Sequence, residues 1–318
     1  MTRAGGAVAE ATRLLDGLAQ REVPLGPLTT YRVGGPAALF VEASSADDLW
    51  RVAEAVAATQ LPTLVVGKGS NLLVADAGFP GVAVVLGPAF AGIAIDGTRV
   101  EAGGASALPV AARRTVRAGL AGFEWAVGVP GSIGGAVRMN AGGHGSDMAA
   151  SLIEARVVDL THPGSDAVVP LAQLDLGYRR SAVAPHHVVV AATLGLRLGD
   201  RAVGEREIAE IVAWRRANQP GGQNAGSVFT NPPDDSAGRL IEAAGCKGMR
   251  LGSAEVSPKH ANFFQADAGG SADDIRALME LVRRRVRDHS GVDLQPETRV
   301  LGFDNPQPLA EPRVEVEG

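Results

Sequence analysis

Apolar positions early in the chain change from a short continuous run, typical of a buried strand, to the spacing of a helix and back. The run 39–41 predicts a strand, and the β-branched runs 63–67 and 82–86 predict two more, both buried. Ser45, with Asp48 three residues later, has the spacing of a capping box. The helix that follows would present one apolar face, made of Leu49, Val52, Ala53 and Val56. The pattern predicts a small α+β unit.

The middle of the chain, from about 93 to 200, combines strand-like runs with long glycine loops. We predict strands at 99–102, 156–160 and 187–198, and a helix at 107–118.

Two amphipathic helices are predicted further on. One follows a boundary at 199–204 and would bury Ile208, Ile211 and Val212 on one face. The other would begin at a capping box of Ser271 and Asp274. Its buried face would consist of Ile275, Leu278, Met279, Val282 and Val286.

These patterns divide the chain into segments 1–90, 91–200, 201–303 and 304–318. The last segment carries three prolines and alternating charge, so we expect a flexible tail.

Composition limits the class of protein. With 318 residues, 46% of them hydrophobic and 20% charged, the chain can bury a large core. The net charge of −5 and the absence of a long basic block argue against a nucleic-acid partner. The single cysteine, Cys246, excludes an internal disulfide and is expected in the core. The sequence shows neither a signal-peptide pattern nor an apolar run of roughly 20 residues, so we expect a cytoplasmic protein without membrane insertion.

Glycine is unusually frequent, at 41 residues, and two clusters stand out. The first, 65–74, is not a P-loop, because Pro62 and Gly69 stand where that motif needs glycine and serine or threonine. It is not a dinucleotide fingerprint either, because Leu72 replaces the third glycine. An anion-binding nest and a plain tight turn both remain open.

The second cluster spans 119–143 and contains Pro130 among few bulky side chains. Such a loop lets the backbone approach a flat or phosphorylated ligand closely.

Three reactive side chains lie outside the glycine loops. Arg179 could bind a carboxylate or phosphate, Ser227 follows a glycine, and Glu297 lies in an otherwise apolar run. Each also has an ordinary structural interpretation, as a surface arginine, a turn serine and an edge-strand charge. The chain contains no Gly-x-Ser-x-Gly elbow, and its six histidines lack metal-ligand spacing, so we expect neither a hydrolase nor a metal site.

Seven motifs together resemble one family, the UDP-N-acetylenolpyruvoylglucosamine reductases. They occur in order over nearly the whole chain, at residues 29–35, 67–71, 129–142, 178–181, 225–232, 259–262 and 296–299. The resemblance implies an α+β fold in which two subdomains, 1–90 and 91–200, hold FAD as in vanillyl-alcohol-oxidase-type enzymes. A third α+β domain, 201–303, would bind the substrate.

The family's reaction is implied as well. NADPH reduces the FAD and leaves, and the enolpyruvyl UDP-sugar then accepts hydride from the reduced flavin, giving UDP-N-acetylmuramate for peptidoglycan. Reduction of an enolpyruvyl group requires stabilisation of the charge that moves onto its carboxylate. By resemblance Arg179 and Glu297 serve this role, and Ser227 donates the proton to the carbon next to the carboxylate.

The resemblance also assigns binding residues. The FAD contacts would be Tyr31, Gly67, Lys68, Gly69, Ser70, Asn71, Leu72, Gly128, Pro130, Gly131, Ser132, Gly134, Gly135, Asn140 and Gly142. The substrate contacts would be Asn231, His260 and Arg299. No metal is implied, and we expect a monomer.

The chain departs from the family pattern in two places. Its only tyrosines are Tyr31 and Tyr178, so it resembles the shorter subclass without the inserted loop whose tyrosine closes over the UDP diphosphate. Asn218 stands where other members carry a lysine. The diphosphate contacts are therefore open, and the candidates are Arg215, Arg216 and Lys247.

Two alternatives compete with this assignment. One is an FAD oxidase or dehydrogenase of the same fold that acts on another small substrate, with His144 as the residue nearest to a covalent flavin link. The other is a flavin- or nucleotide-binding regulatory protein that has lost catalysis. The joint presence of Arg179, Ser227 and Glu297 argues against both.

Overall fold

The computed structural model describes residues 3–303 of the chain, so the predicted tail at 304–318 lies outside the described residues. The chain forms two compact units. The first contains the N-terminal residues up to Val23 together with Ala37–Gly69 and Pro80–Ala217. The second contains Pro24–Pro36, Ser70–Phe79 and the C-terminal part from Asn218.

The helices are α1 (Arg3–Leu14), α2 (Ala46–Thr59), α3 (Leu108–Arg117), α4 (Ile133–Met139), α5 (Arg201–Asn218), α6 (Ala237–Ala243) and α7 (Ala272–Ser290). The longer strands are β1 (Gln20–Pro24), β2 (Pro36–Ala43), β3 (Thr63–Val66), β4 (Leu72–Val74), β5 (Phe79–Leu86), β6 (Ile93–Asp96) and β7 (Arg99–Gly103). They continue with β8 (Leu120–Ala121), β9 (Gly142–Gly143), β10 (Ser146–Asp147), β11 (Leu152–Asp159), β12 (Ala167–Pro170), β13 (His187–Gly195) and β14 (Arg197–Leu198). The last strands are β15 (Arg250–Leu251), β16 (Ala254–Val256), β17 (Phe264–Ala266) and β18 (Arg299–Leu301).

Two sheets form the frame of the first unit. One has the order β1-β2-β5-β3, and its β3 and β5 run parallel with Thr63 opposite Val82. The other has the order β12-β11-β13-β7-β6, with antiparallel pairing throughout. Apolar side chains from the two sheets and from helices α2 and α3 fill two buried clusters. The predicted α+β class is confirmed.

Helix α2 begins as the sequence predicts. The Ser45 hydroxyl accepts a hydrogen bond from the Asp48 N–H at 3.2 Å, and the Asp48 carboxylate accepts one from the Ser45 N–H at 3.1 Å. The box therefore satisfies N–H groups that the helix itself cannot pair. The predicted apolar residues Leu49, Val52 and Val56 are buried, and Ala53 lies with them.

The second unit is built on a small sheet, β15-β16-β17, covered by α7. A separate parallel pair joins β18 to β4, with Arg299 opposite Leu72. The five apolar residues predicted for the last helix are all buried in this unit's core. Cys246 is fully buried there as well, which confirms its predicted place.

Two helix predictions are corrected. At the start of α7 the Ser271 hydroxyl accepts from the Asp274 N–H, but the Asp274 carboxylate bonds to the backbone and hydroxyl of Ser253, so the capping box is only half formed. On α5 Ile211 is buried, whereas Val212 is 38% exposed. The inward face of α5 instead includes Gly204, where an added Cβ would lie 2.8 Å from Val116 of α3.

The compact units place most of α5 with the first unit, while the predicted third domain began at residue 201. The three-domain division stays a prediction. Among residues 3–303 no helix has the length and apolar character needed to cross a membrane.

Candidate active site

The two glycine clusters meet in one cleft of the first unit, with a cavity volume of about 80 Å³. Five residues predicted to bind the cofactor line it: Gly67, Lys68, Ser132, Gly134 and Gly135. Sequence reasoning missed other lining residues, including Gly104, Arg138, His187 and Val189. The glycine excess in the sequence around Gly104 could have indicated this residue. Arg138, His187 and Val189 could not be found in this way, because their place in the cleft depends on how the sheets and α4 pack together.

Missing side chains keep the walls of the cleft close to each other. A Cβ on Gly67 would lie 2.5 Å from the Ser132 hydroxyl, and a Cβ on Gly104 would lie 1.9 Å from the Val189 carbonyl oxygen. Gly134 approaches the same carbonyl, at 2.9 Å from its would-be Cβ. A side chain at Gly104 or Gly134 would meet backbone, so space favours glycine there, whereas at Gly67 the Ser132 hydroxyl would have to move.

The cleft carries positive charge. Lys68 and Arg138 line it, and none of its lining residues is acidic. Ser132 caps α4 by accepting from the Gly135 N–H at 3.4 Å, while the N–H groups of Ile133 and Gly134 bond to the carbonyls of Ser106 and Gly104. The walls are thus fixed by their own hydrogen bonds, and two cationic residues, Lys68 and Arg138, line the space between them.

Three other predicted cofactor residues, Gly128, Pro130 and Gly131, have different surroundings. Gly128 is buried, and a Cβ there would lie 2.7 Å from the His144 ring and 2.9 Å from Ile211. Pro130 is exposed, and Gly131 has φ +148°, a conformation that favours glycine.

Four of the predicted cofactor residues lie in the second unit: Tyr31, Ser70, Asn71 and Leu72. The side chain of Tyr31 is fully buried in the core, where burial raises the pKa of its phenol. Leu72 is also buried, in β4. The Asn71 amide donates to the Glu297 carbonyl at 3.0 Å, and the Asn71 carbonyl accepts from the Arg299 N–H. Gly69 and Ser70 fall on either side of the division between the units.

Arg179 lies in a strained loop of the first unit. Its φ is +56°, its guanidinium lies over the Tyr178 ring at 5.2 Å, and its Nη2 donates to the Gly142 carbonyl at 3.1 Å. Asn140, which is 3% exposed, holds the same loop by donating to the Gly177 carbonyl at 3.0 Å. Asn140 and Gly142, both predicted FAD contacts, are therefore bonded to the arginine loop.

Ser227 and Glu297 are brought together within the second unit. Ser227 is half-buried and forms a β-bridge with Phe263. Ser227 and the two residues after it form a short segment, 227–229, which we call the Ser227 ribbon. The Glu297 N–H donates to the Val228 carbonyl of this ribbon at 2.8 Å. The two residues are seventy positions apart, so no local pattern in the sequence predicts that Glu297 pairs with the Ser227 ribbon.

The three predicted substrate residues also lie in the second unit. The Asn231 amide oxygen accepts from the Ala237 N–H at 3.1 Å at the start of α6. His260 packs edge-on against Phe263 with ring centroids 4.7 Å apart, and burial together with nearby Lys247 lowers its pKa. Arg299 is exposed on β18.

The proposed diphosphate cations have different surroundings. Arg215 of α5 is partly buried, and burial lowers its pKa. The adjacent Trp214 packs edge-on against His144 at 5.2 Å. Lys247, in the second unit, pairs with Glu242 at 2.9 Å.

The fold also assembles a cluster that sequence spacing did not reveal. Asp159, His186 and His187 place ligand-type atoms within 4.8 Å of one another. However, the Ala184 N–H donates to His187 Nδ1 at 3.1 Å, so the proton of the neutral ring lies on Nε2, which faces Asp159. The Nε2 atom lies 3.7 Å from the Asp159 carboxylate, a charge contact rather than a hydrogen bond, and its proton opposes metal ligation through Nε2.

Comparisons with known proteins agree with the geometry. A family model described as "UDP-N-acetylenolpyruvoylglucosamine reductase, C-terminal domain" matches residues 217–301, and one described as "FAD binding domain" matches residues 37–161. A UDP-N-acetylenolpyruvoylglucosamine reductase of Heliobacterium modesticaldum is 44% identical over 92% of this chain and 94% of its own length. One from Rubrobacter xylanophilus is 41% identical over 89% of this chain and 95% of its own length. The crystal structure of the Thermus caldophilus reductase superposes with a TM-score of 0.77 at 34% identity, covering 89% of this chain and 98% of that one.

Proposed function

Because the chain belongs to the UDP-N-acetylenolpyruvoylglucosamine reductase family, we propose how its own residues divide the work of that reaction. Its activity is the FAD-dependent reduction of the enolpyruvyl UDP-sugar in peptidoglycan synthesis. We assign the cofactor's diphosphate to the first-unit cleft and the proton to Ser227. NADPH is the proposed source of hydride.

The cleft fits a diphosphate by charge and by space. Lys68 and Arg138 supply cations, no lining residue is acidic, and Gly67, Gly104 and Gly134 let the backbone of the walls approach closely. A cation next to closely approaching backbone suits a polyanion better than a neutral ligand. Bound FAD supplies the two-electron chemistry, which takes hydride from one substrate and gives it to the other.

Arg179 and Glu297 are the proposed partners of the substrate carboxylate. When hydride reaches the terminal vinyl carbon, negative charge moves onto this carboxylate, and a cation and an acid aimed at it lower the barrier. The Arg179 loop is fixed in advance, because Asn140 and Gly142 both hold it. Glu297 is fixed by the hydrogen bond from its own N–H to Val228.

Ser227 is the proposed proton donor. A carbon next to a carboxylate that already carries extra charge is basic enough to take a proton from a hydroxyl. A serine also adds no competing charge near the site. The observation that carries this assignment is that Ser227 and Glu297, far apart in sequence, are joined through one ribbon.

The test separates the two halves of the reaction. In anaerobic stopped-flow measurements, NADPH should bleach the yellow enzyme, and the enolpyruvyl UDP-sugar should restore the colour. Ser227→Ala should leave bleaching intact and slow the return of colour by about 10³-fold or more, as expected for the loss of a positioned acid. A wild-type flavin that this substrate cannot reoxidise would refute the function, and equal losses in both halves would refute the role of Ser227.

We further propose that the enzyme works in the cytoplasm, since both substrates are charged nucleotides, and that it is a monomer. Sedimentation velocity at micromolar concentration should give the mass of one chain. A concentration-independent dimer would contradict the monomer.

A further inference from the structure

The Ser227 ribbon is held from both sides within the second unit. On one side the Val228 N–H donates to the Asn262 carbonyl at 2.9 Å. On the other side the Val228 carbonyl accepts from the Glu297 N–H, and the Thr230 N–H donates to the Gln295 carbonyl at 2.9 Å. The ribbon is therefore the middle of a three-stranded arrangement.

The side chain of Asn262 extends this arrangement by one residue. Its amide oxygen accepts from the Phe229 N–H at 3.0 Å, and its amide nitrogen donates to the Phe229 carbonyl at 2.8 Å. Asn262 is only 3% exposed, so these two bonds are shielded from water. One side chain thus pairs both polar groups of Phe229, as the backbone of a neighbouring strand would do.

The chain before the ribbon is held by bonds of its own. The Gly226 N–H donates to the Asn224 amide oxygen at 3.1 Å, and the Gln223 carbonyl accepts from the Ala266 N–H at 3.1 Å. On the C-terminal side of Ser227, the bonds that Asn262 makes to Val228 and Phe229 hold the chain.

We propose that Asn262 is a positioning residue, which holds the Ser227 hydroxyl and, through Val228, the Glu297 carboxylate in place for protonation of the substrate. This inference rests on the proposed role of Ser227. An amide neither gives up nor takes a proton near neutral pH, so its contribution comes through geometry. A misplacement of about 1 Å can lower a rate by about 100-fold.

Asn262→Ala in the holoenzyme tests the proposal. Reduction of the flavin by NADPH should change by less than about 2-fold, while reoxidation by the enolpyruvyl UDP-sugar should slow by about 100-fold. The solvent deuterium isotope effect on reoxidation should rise, because a badly placed donor makes proton transfer limiting. Amide exchange measured by mass spectrometry should increase in the peptide that contains residues 227–229.

Three further variants make the result specific. Asn262→Asp keeps the acceptor for Phe229 but sets an oxygen against its carbonyl, so a smaller slowing of about 10-fold is expected. It also covers the case in which Asn262→Ala fails to fold. Ile241→Ala removes a fully buried side chain from the same core but none of the ribbon's hydrogen bonds, and should leave both half-reactions unchanged. In the double variant Ser227→Ala/Asn262→Ala, reoxidation should be less than about 10-fold slower than in Ser227→Ala alone. The reason is that the effects of two residues are not additive when one acts through the other.

The outcomes distinguish this inference from the function on which it rests. If Ser227→Ala leaves reoxidation unchanged, the proposed role of Ser227 is overturned, and the positioning role of Asn262 is overturned with it. If Ser227→Ala slows reoxidation but neither Asn262 variant does, only the positioning role is overturned. Equal slowing by Ile241→Ala, or full additivity in the double variant, would also overturn it.

Discussion

At the residue scale, the absent side chain of Gly67 lets this wall of the first-unit cleft lie close to the start of α4. The would-be Cβ of Gly67 points at the Ser132 hydroxyl, which caps α4. An added methyl group must displace this hydroxyl, and with it the residue that begins the helix. The cofactor cleft and the cap of α4 are therefore coupled at one position.

We expect Gly67→Ala to weaken FAD binding by about 10-fold and to lower stability by about 1 kcal/mol through loss of the cap. Fluorescence titration of the apoprotein with FAD and urea unfolding would measure the two effects. Gly92→Ala is the matched control, because its Cβ would meet nothing within 4 Å. Unchanged FAD affinity in Gly67→Ala would contradict the assignment of the cleft.

Tyr31 tests the opposite case, a predicted cofactor contact whose side chain is fully buried. Its hydroxyl lies near Thr298 and Ala225, but none of these contacts has hydrogen-bond geometry. We expect Tyr31→Phe to bind FAD as the wild type does and to change stability by less than about 1 kcal/mol. A clear loss of FAD affinity in the same titration would contradict this expectation and show that the Tyr31 hydroxyl contributes to FAD binding.

At the element scale, helix α7 shows how a tertiary partner replaces a local one. The Asp274 carboxylate, predicted to close the capping box, is bonded to Ser253 instead. The Ser271 N–H, which the box would have paired, donates to the Ser253 hydroxyl at 2.8 Å. Asp76 accepts from the next two N–H groups, those of Ala272 and Asp273. A carboxylate at this end of a helix also interacts favourably with the helix dipole.

Asp76→Ala should therefore destabilise the protein by about 1–2 kcal/mol, as the loss of a charged N-cap does. Chemical unfolding followed by circular dichroism would give this value. Glu210→Ala, an exposed change on α5, serves as control and should stay within about 0.5 kcal/mol of the wild type. Equal stability of the two variants would mean that Asp76 does not support the helix.

At the scale of the whole molecule, the dependence of stability on pH has a local source in Asp159. Burial alone would raise the pKa of this carboxyl, but hydrogen bonds from Thr161 and His162, together with nearby His186, hold it at about 2. A carboxyl with a lowered folded-state pKa stabilises the fold above its unfolded pKa near 3.8 and stops doing so as pH falls towards 2.

Asp159→Asn should lower the free energy of unfolding at pH 7 by about 2 kcal/mol, from a shift of roughly two pKa units. The difference from wild type should narrow between about pH 4 and pH 2. Urea midpoints measured across this range check both statements. A difference that stays constant with pH would show that the carboxylate charge is not the cause.

Much of the local structure could be predicted from the sequence, because short-range rules govern it. The capping box of Ser45 and the apolar faces of α2 and α7 depend on residues three or four positions apart. The predicted burial of Val212 was wrong for a tertiary reason. Gly204 faces Val116 of α3, so the face of α5 that packs inward includes Gly204 and not Val212. Spacing also gave no sign of the cluster of Asp159, His186 and His187, which the pairing of β11 with β13 assembles.

The sequence by itself determined the family, the FAD chemistry and the identity of the candidate catalytic residues, because ordered motifs carry that information in the residue types alone. Only the tertiary structure decided which residues work together. It placed Gly67 against Ser132 in one cleft, Asn140 against the arginine loop, and Glu297 and Asn262 on opposite sides of the Ser227 ribbon. The physical reason is that these links are backbone hydrogen bonds and close approaches between distant segments, which leave no periodic trace along the chain.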